Sequence, residues 1–259
     1  MTYLPRFKYI ENDSLVLYDK AKGLTPFQCV EILRNLRSEF RNVKIGYAGR
    51  LDPMASGLLV LLLGDANKAK ADFEMLEKEY ELEILFGVST DSLDRLGVIQ
   101  SISDKRVAFQ EDIIREFLGV REMTYPVFSS KRVQGKPLFY YAHNDLLSEI
   151  VVPKRKVVIH NIEILGFSEV DGGDVLSKFL DILKKIKGDF RQNEIGESWR
   201  MNEIALKSLK FQILKLRVTC GSGTFMRWLA SEIASRIGTV GIAYNIRRVR
   251  VGKYSLRDL

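Results

Sequence analysis

Gly46-Tyr47-Ala48-Gly49-Arg50-Leu51-Asp52-Pro53-Met54-Ala55-Ser56-Gly57-Leu58-Leu59-Val60-Leu61-Leu62-Leu63-Gly64 is the stretch on which the reading of this chain turns. Its first half is a loop whose closely spaced glycines let the backbone turn tightly or approach a ligand. It lacks the G-x-x-x-x-G-K-S/T spacing of a phosphate loop and the strand–turn–helix spacing of a dinucleotide fingerprint. It carries one carboxylate, Asp52, followed by a proline that stiffens the backbone. Taken alone, Asp-Pro reads either as a turn opener or as a held catalytic group. The second half, Leu58 to Leu63, is the longest unbroken apolar run in the chain. It falls far short of the roughly 20 residues a membrane-spanning helix needs, which excludes a membrane protein.

Outward from that stretch, Ser14 to Tyr18 reads as a short strand. Thr25-Pro26-Phe27-Gln28 reads as a capped helix start, the helix running to about Phe40. Arg34, Arg37 and Arg41 recur at helical spacing, either a solvated face or a ligand contact. Tyr80 to Phe86 alternates as a half-buried strand with Tyr80, Leu82, Ile84 and Phe86 on one face. Ala108 to Val120 and Asp174 to Lys187 have helical periodicity. Val157 to Leu165, which contains His160, and Leu209 to Val218 read as strands. Gly221-Ser222-Gly223 turns into a helix from Thr224 to Ile237, and Ile242 to Val251 alternates to the end. The order of strands and helices is irregular, which points to an α+β fold with a mixed sheet rather than a doubly wound one.

The chain has 259 residues, 46% hydrophobic and 28% charged, enough to bury a core in one large domain. Lys plus Arg exceed Asp plus Glu by 40 to 33, a net charge of +7 that suits a polyanionic partner or a basic enzyme. The 2 cysteines and 2 histidines are scattered singly, which excludes a disulfide framework and a Cys/His zinc site. No apolar leader opens the chain, so a cytoplasmic location is expected.

The glycine-rich loop resembles the G-H-x-G-x-L-D-P-x-A-x-G-x-L motif of the tRNA pseudouridine synthase B (TruB) family. The resemblance continues in order on both sides. Leu17 to Thr25 is similar to L-x-D-K-P-x-G-x-S/T, and Leu63 to Lys68 to L-G-x-A-T-K. Lys78-Glu79-Tyr80 is similar to K-x-Y, and Gly87 to Asp94 to G-x-x-T-D-T-x-D. Pro126 to Ala142 resembles P-x-Y-S-A-x-K-x-x-G-x-x-x-Y-x-x-A-R, and Cys220 to Arg227 resembles C-x-x-G-T-Y-I-R.

The resemblance implies an α+β pseudouridine synthase fold, with a mixed, mostly antiparallel central sheet flanked by helices and loops. It implies a stand-alone isomerase converting the T-loop uridine of tRNA, position 55, to pseudouridine. The base is detached from C1′ through N1 and reattached through C5, so no cofactor and no metal are required. Asp52 matches the family's catalytic aspartate; attack on the sugar, attack on the base and abstraction of a sugar proton all stay open for it. Arg227 matches the motif arginine that keeps such a carboxylate ionised. Tyr80 matches the tyrosine that stacks on the extruded base, although core packing alone also fits it. Tyr47 stands where the family has a histidine that fills the vacated stack, so stacking survives and the histidine's charge does not. Lys20, Lys68, Asp94, Lys131 and Arg132 are the remaining implied substrate-binding residues. Lys131 and Arg132 lie in a thumb-like RNA-binding insertion over about 124–152, and Lys154-Arg155-Lys156 adds cations for phosphates.

Residues 1–259 are expected to form one catalytic domain. A further insertion over about 172–209 is longer than in the family pattern. A C-terminal RNA-binding domain is expected to be absent, with weaker tRNA affinity as a consequence. The implied partner is the T-arm stem-loop of tRNA, bound by a monomer. Two other readings are a guide-dependent ribosomal RNA pseudouridylase and an RNA chaperone with an inactive pocket.

Overall fold

A computed structural model describes residues 5–10, 14–108 and 111–259. Strands β1 (Phe7–Ile10) and β2 (Leu15–Lys20), helix α1 (Pro26–Leu36) and strands β3 (Ile45–Ala48) and β4 (Ser56–Leu63) come first. Helix α2 (Lys70–Met75) leads into β5 (Lys78–Phe86) and the hairpin β6 (Val88–Thr90) and β7 (Ile99–Ile102). After α3 (Glu111–Arg115) and β8 (Gly119–Thr124), the chain leaves the sheet for the short pair β9 (Arg132–Val133) and β10 (Lys136–Pro137) and helix α4 (Leu138–His143). It returns as β11 (Lys154–Asp171), followed by α5 (Gly172–Leu183), α6 (Gln192–Met201) and α7 (Glu203–Lys207). Strand β12 (Lys210–Cys220), helix α8 (Met226–Ile237), and strands β13 (Gly241–Val251) and β14 (Tyr254–Ser255) follow.

The central sheet runs β1-β2-β4-β13-β5-β12-β11-β8, with β3 and β14 on its margins. Its neighbours pair antiparallel except β4 with β13, where Arg247 lies opposite Ser56 and Arg248 opposite Gly57. The sheet is therefore mixed and mostly antiparallel, the α+β architecture expected. Strand β4 has no polar alternation because both its faces are covered. Leu58, Val60 and Leu62 enter one cluster with Leu15 and Leu17, while Leu59 and Leu61 enter another with α1's Val30 and Leu33. Strand β5 divides its side chains in the same way. Tyr80, Leu82, Ile84 and Phe86 pack with α8's Leu229 and Ile233, and Leu85 packs with Phe179 and Trp199 on the opposite face.

Helix α1 begins as expected. Thr25 Oγ1 accepts from Gln28 N and the Gln28 side chain accepts from Thr25 N, with Pro26 in the first turn. It ends at Leu36, earlier than periodicity predicts, because Arg37 is extended and carries its guanidinium over the Phe7 and Tyr9 rings. Arg34 is held by Glu31 and the Val43 carbonyl, so this part of the basic stripe serves the fold. The helix predicted over 108–120 is reduced to α3. Gly119, at φ +84, breaks the pattern, and the chain from there becomes the edge strand β8 against β11. Phe109 and Gln110 lie outside the described residues. Helix α5 starts at Gly172 and stops at Leu183, short of Lys187.

The segment 172–209 packs on the sheet itself. Trp199 is fully buried and stacks on Phe179 with ring centroids 4.1 Å apart, and its Nε1 donates to the Gly97 carbonyl at 3.0 Å. Ile99 N donates to Ser198 Oγ at 3.0 Å. The first bond ties α6 to the loop joining β6 and β7, which carries Asp94, and the second ties it to the start of β7.

Candidate active site

The loop between β3 and β4 is held from several directions. Gly23 N donates to the Pro53 carbonyl at 2.8 Å and Ala55 N to the Asp52 carbonyl at 3.0 Å. Lys20 Nζ donates to the carbonyls of Ala55 (2.6 Å), Leu24 (2.6 Å) and Ala21 (3.1 Å). Arg248, fully buried, donates from Nε to the Leu58 carbonyl at 2.8 Å and from Nη2 to the Gly49 carbonyl at 3.2 Å. Gly57 is obligatory here: at φ +105, a Cβ would lie 2.2 Å from the Arg248 carbonyl oxygen of the paired strand. So fixed, the loop offers the Asp52 side chain to solvent with 38% exposure.

Arg227, in the first turn of α8, reaches Asp52 from beneath. Its Nε lies 2.9 Å from Asp52 Oδ2 and 3.5 Å from Asp94 Oδ2, and its side chain is only 4% exposed. Nη1 donates to the Ser92 carbonyl at 3.0 Å and Nη2 to the Phe128 carbonyl at 3.2 Å. Nε itself is not aligned for a hydrogen bond, and Nη2 supplies the directional contact, donating to Asp52 Oδ1 at 3.5 Å. Burial works against the guanidinium, but Asp52 and Asp94 outweigh it and push its pKa up, which keeps it cationic.

Asp94 is fully enclosed. Its Oδ1 accepts from Ser92 Oγ at 2.8 Å and from Leu96 N at 2.8 Å. Burial pushes its carboxyl up to about 6 against the pull of Arg227, and Asp52 adds to the rise. One arginine thus serves two unlike carboxylates: a half-exposed one that can meet a substrate and a buried one that fixes the arginine.

Two hollows meet at this pair. One, about 410 Å³, runs past Asp94, Phe139 and His143 to Phe190 and Arg191. The other, about 480 Å³, runs past Tyr47, Lys78, Tyr80 and Arg248. Asp52, Phe128, Phe190 and Arg227 line both. Tyr80 is buried, opposite Arg248 of the paired strand. Burial raises its pKa more than the neighbouring arginine charge lowers it, so it keeps its proton. Tyr47 stands on the rim with Lys70 Nζ 5.4 Å from its ring centroid.

The predicted residues therefore separate into groups. Asp52, Arg227, Tyr80, Asp94 and Tyr47 converge on the two hollows. Lys131 and Arg132 lie exposed on the thumb-like segment, Lys131 Nζ 5.3 Å from the Tyr125 ring and Arg132 bonded to the Gly135 carbonyl at 2.6 Å. Lys20 is wholly buried with backbone carbonyls as partners, and burial drives its ammonium down to about 8. It holds the loop and lines neither hollow. Lys68 is exposed on the surface, paired with Asp65 at 2.9 Å, and lines neither hollow. Sequence reasoning passed over Arg248, which looks like one more charge in an alternating strand. It also passed over Phe190 and Arg191, which belong to no motif.

The fold is that of a pseudouridine synthase. It matches the chain solved in the crystal structure of a Cbf5–Nop10–Gar1 complex with a TM-score of 0.55 at 18% identity, covering 92% of this chain and 48% of that one. The chain belongs to the TruB family of pseudouridylate synthases, whose N-terminal-domain model matches residues 37–178. The tRNA pseudouridine synthase B of Caldicellulosiruptor saccharolyticus is 30% identical over 247 residues, spanning 95% of this chain and 69% of that protein. That of Malacoplasma penetrans is 27% identical over 97% of this chain and 93% of its own length.

Proposed function

We propose that this chain is a stand-alone tRNA pseudouridine synthase acting on the T-loop uridine at position 55. The single observation that carries the reading is Asp52, presented at the junction of two hollows and held 2.9 Å from a buried, permanently charged arginine. The membership of the family and the similarity to relatives named tRNA pseudouridine synthase B support it.

In this reading the uridine leaves the loop stack at a cost of a few kcal/mol. Tyr47 takes the space it vacates, and the base enters beside Tyr80. Asp52, paired with Arg227, acts on the sugar or the base as the C1′–N1 bond breaks and the C1′–C5 bond forms, with C5 losing its proton and N1 gaining one. Tyr80, keeping its proton beside Arg248, packs against the base face. Asp94 orients Arg227 rather than touching RNA. Lys131 and Arg132 meet phosphates as the thumb-like segment settles on the stem-loop. Residues 1–259 act as one catalytic domain, as a monomer and in the cytoplasm.

The test is pseudouridine formation by purified protein on an unmodified T-arm transcript with no guide RNA present. Conversion at the T-loop uridine alone is expected. Binding without conversion would replace this reading with the chaperone, and conversion only after a guide RNA is added would replace it with the guided enzyme.

A further inference from the structure

The segment 172–209 builds part of the catalytic cavity as well as part of the core. Its turn before α6 places Phe190 and Arg191 in the wall facing Asp52 and Arg227. Arg191 is held tightly there. Nη1 lies 2.8 Å from Asp91 Oδ2 and Nη2 3.3 Å from Asp91 Oδ1, a two-point grip, while Asp91 Oδ1 is itself fixed by Val98 N at 2.9 Å. Glu194 adds a carboxylate 3.6 Å from Nη1. The guanidinium carbon then sits 3.9 Å from the centroid of the Phe128 ring, and the side chain is 14% exposed. The backbone of Arg191 is left-handed, at φ 59 and ψ 31, a conformation a non-glycine residue keeps only where its surroundings hold it.

Phe128 is the root of the thumb-like segment, and it is gripped twice. Its carbonyl oxygen accepts from Arg227 and its ring carries Arg191. Displacing the ring would move the carbonyl, and with it one of the bonds that aim Arg227 at Asp52. The other end of the Arg191 grip, Asp91, lies in the loop that also carries Ser92 and Asp94, the remaining partners of Arg227.

We propose that Arg191 is a positioning residue for catalysis. It holds the root of the thumb-like segment in place through Phe128, so that Arg227 and Asp52 are aligned before RNA binds. The inference rests on the pseudouridine synthase reading of the cavity. A planar cation suits the task because it must stack on a ring and meet a carboxylate edge-on at once, which an ammonium cannot do.

The test compares wild type with Arg191→Met, Arg191→Lys, Asp91→Asn, Phe128→Leu and the Arg191→Met/Phe128→Leu double variant. It measures steady-state kinetics on the T-arm transcript and, without RNA, the rate of tryptic cleavage at Lys131 and Arg132. Arg191→Met is expected to lower kcat by about tenfold while KM changes by less than about threefold. Lysine should not rescue it, and Asp91→Asn should give a smaller loss of the same kind. Acting through one residue, the two changes should not multiply: adding Arg191→Met to Phe128→Leu should cost less than about twofold more. Cleavage in the thumb-like segment should accelerate at least about fivefold, since proteolysis follows local opening. Multiplying losses, a wild-type kcat, or an unchanged cleavage rate in the folded variants would overturn the proposal. If wild type itself makes no pseudouridine, the functional reading fails, and the cleavage rates alone decide whether Arg191 holds the segment.

Discussion

Replacing Arg227 by methionine removes a buried cation of similar length from between two carboxylates. Asp52 is 38% exposed, so water takes over much of its lost pairing. Asp94 is enclosed and has no such recourse, and breaking a buried pair of this kind costs about 3–5 kcal/mol. The penalty depends on pH in a definite direction. With Arg227 present, Asp94 titrates at about 6, so at pH 5 it is mostly protonated and the lost charge matters little. At pH 8 it is ionised and the variant must either bury the bare charge or take up a proton. The penalty at pH 8 should exceed that at pH 5 by about 1.4 kcal/mol for each unit by which the Asp94 pKa rises in the variant. In a chain of this size the loss at pH 8 corresponds to a fall in Tm of roughly 10 °C. Urea unfolding at both pH values measures the two penalties, and Arg227→Met/Asp94→Asn checks the partner, because its loss at pH 8 should be smaller than the sum of the single losses. A penalty below about 1 kcal/mol, or one equal at pH 5 and pH 8, would mean that Arg227 does not sustain the Asp94 charge.

Other perturbations follow from the same geometry. Because the folded pKa of Asp94 lies above its unfolded value, its contribution to stability falls as pH rises from about 4 to 6; Asp94→Asn should flatten that part of the stability–pH curve, as thermal melts across the range would show. Lys20→Met strips the bonds on the Ala21, Leu24 and Ala55 carbonyls and should cost about 2–4 kcal/mol in urea unfolding, with activity lost through a displaced loop rather than through weaker RNA binding. Gly57→Ala forces a Cβ against the Arg248 carbonyl at a left-handed position and should cost more than about 3 kcal/mol, seen as a large drop in Tm or loss of soluble protein.

Much of the site was legible because its residues are bound to local pattern. Asp52 sits between glycines and before a proline, and Tyr80 opens an alternating strand. Arg227 follows a glycine turn into a helix. The α+β class followed from strands without regular crossover helices, and the mixed sheet carries it. What escaped were residues whose partners lie far away along the chain. Arg248 gains its meaning from Gly49 and Leu58, nearly 200 positions earlier, and no periodicity in β13 distinguishes it from Arg247. Lys20 carries a motif position, but only burial shows that its charge is used by a carbonyl of the loop. In the 172–209 segment the sequence marks only the helical periodicity of Asp174 to Lys187. That the turn beyond it reaches the hollow beside Asp52 depends on Trp199, Ser198 and Arg191 each finding a partner within residues 91–99. Such pairings are set by tertiary packing, and short-range spacing does not encode them.

The central claim is that Asp52 performs the chemistry while other residues bind and align. Its most direct test measures pseudouridine at the T-loop uridine of an unmodified tRNA transcript, under single-turnover conditions, for wild type and Asp52→Asn, with gel-shift affinity measured on the same preparations. Full conversion by wild type and none by Asp52→Asn are expected, with affinities within about threefold of each other, since the change removes a charge without removing a phosphate contact. Conversion by Asp52→Asn at a rate near that of wild type would contradict the central claim.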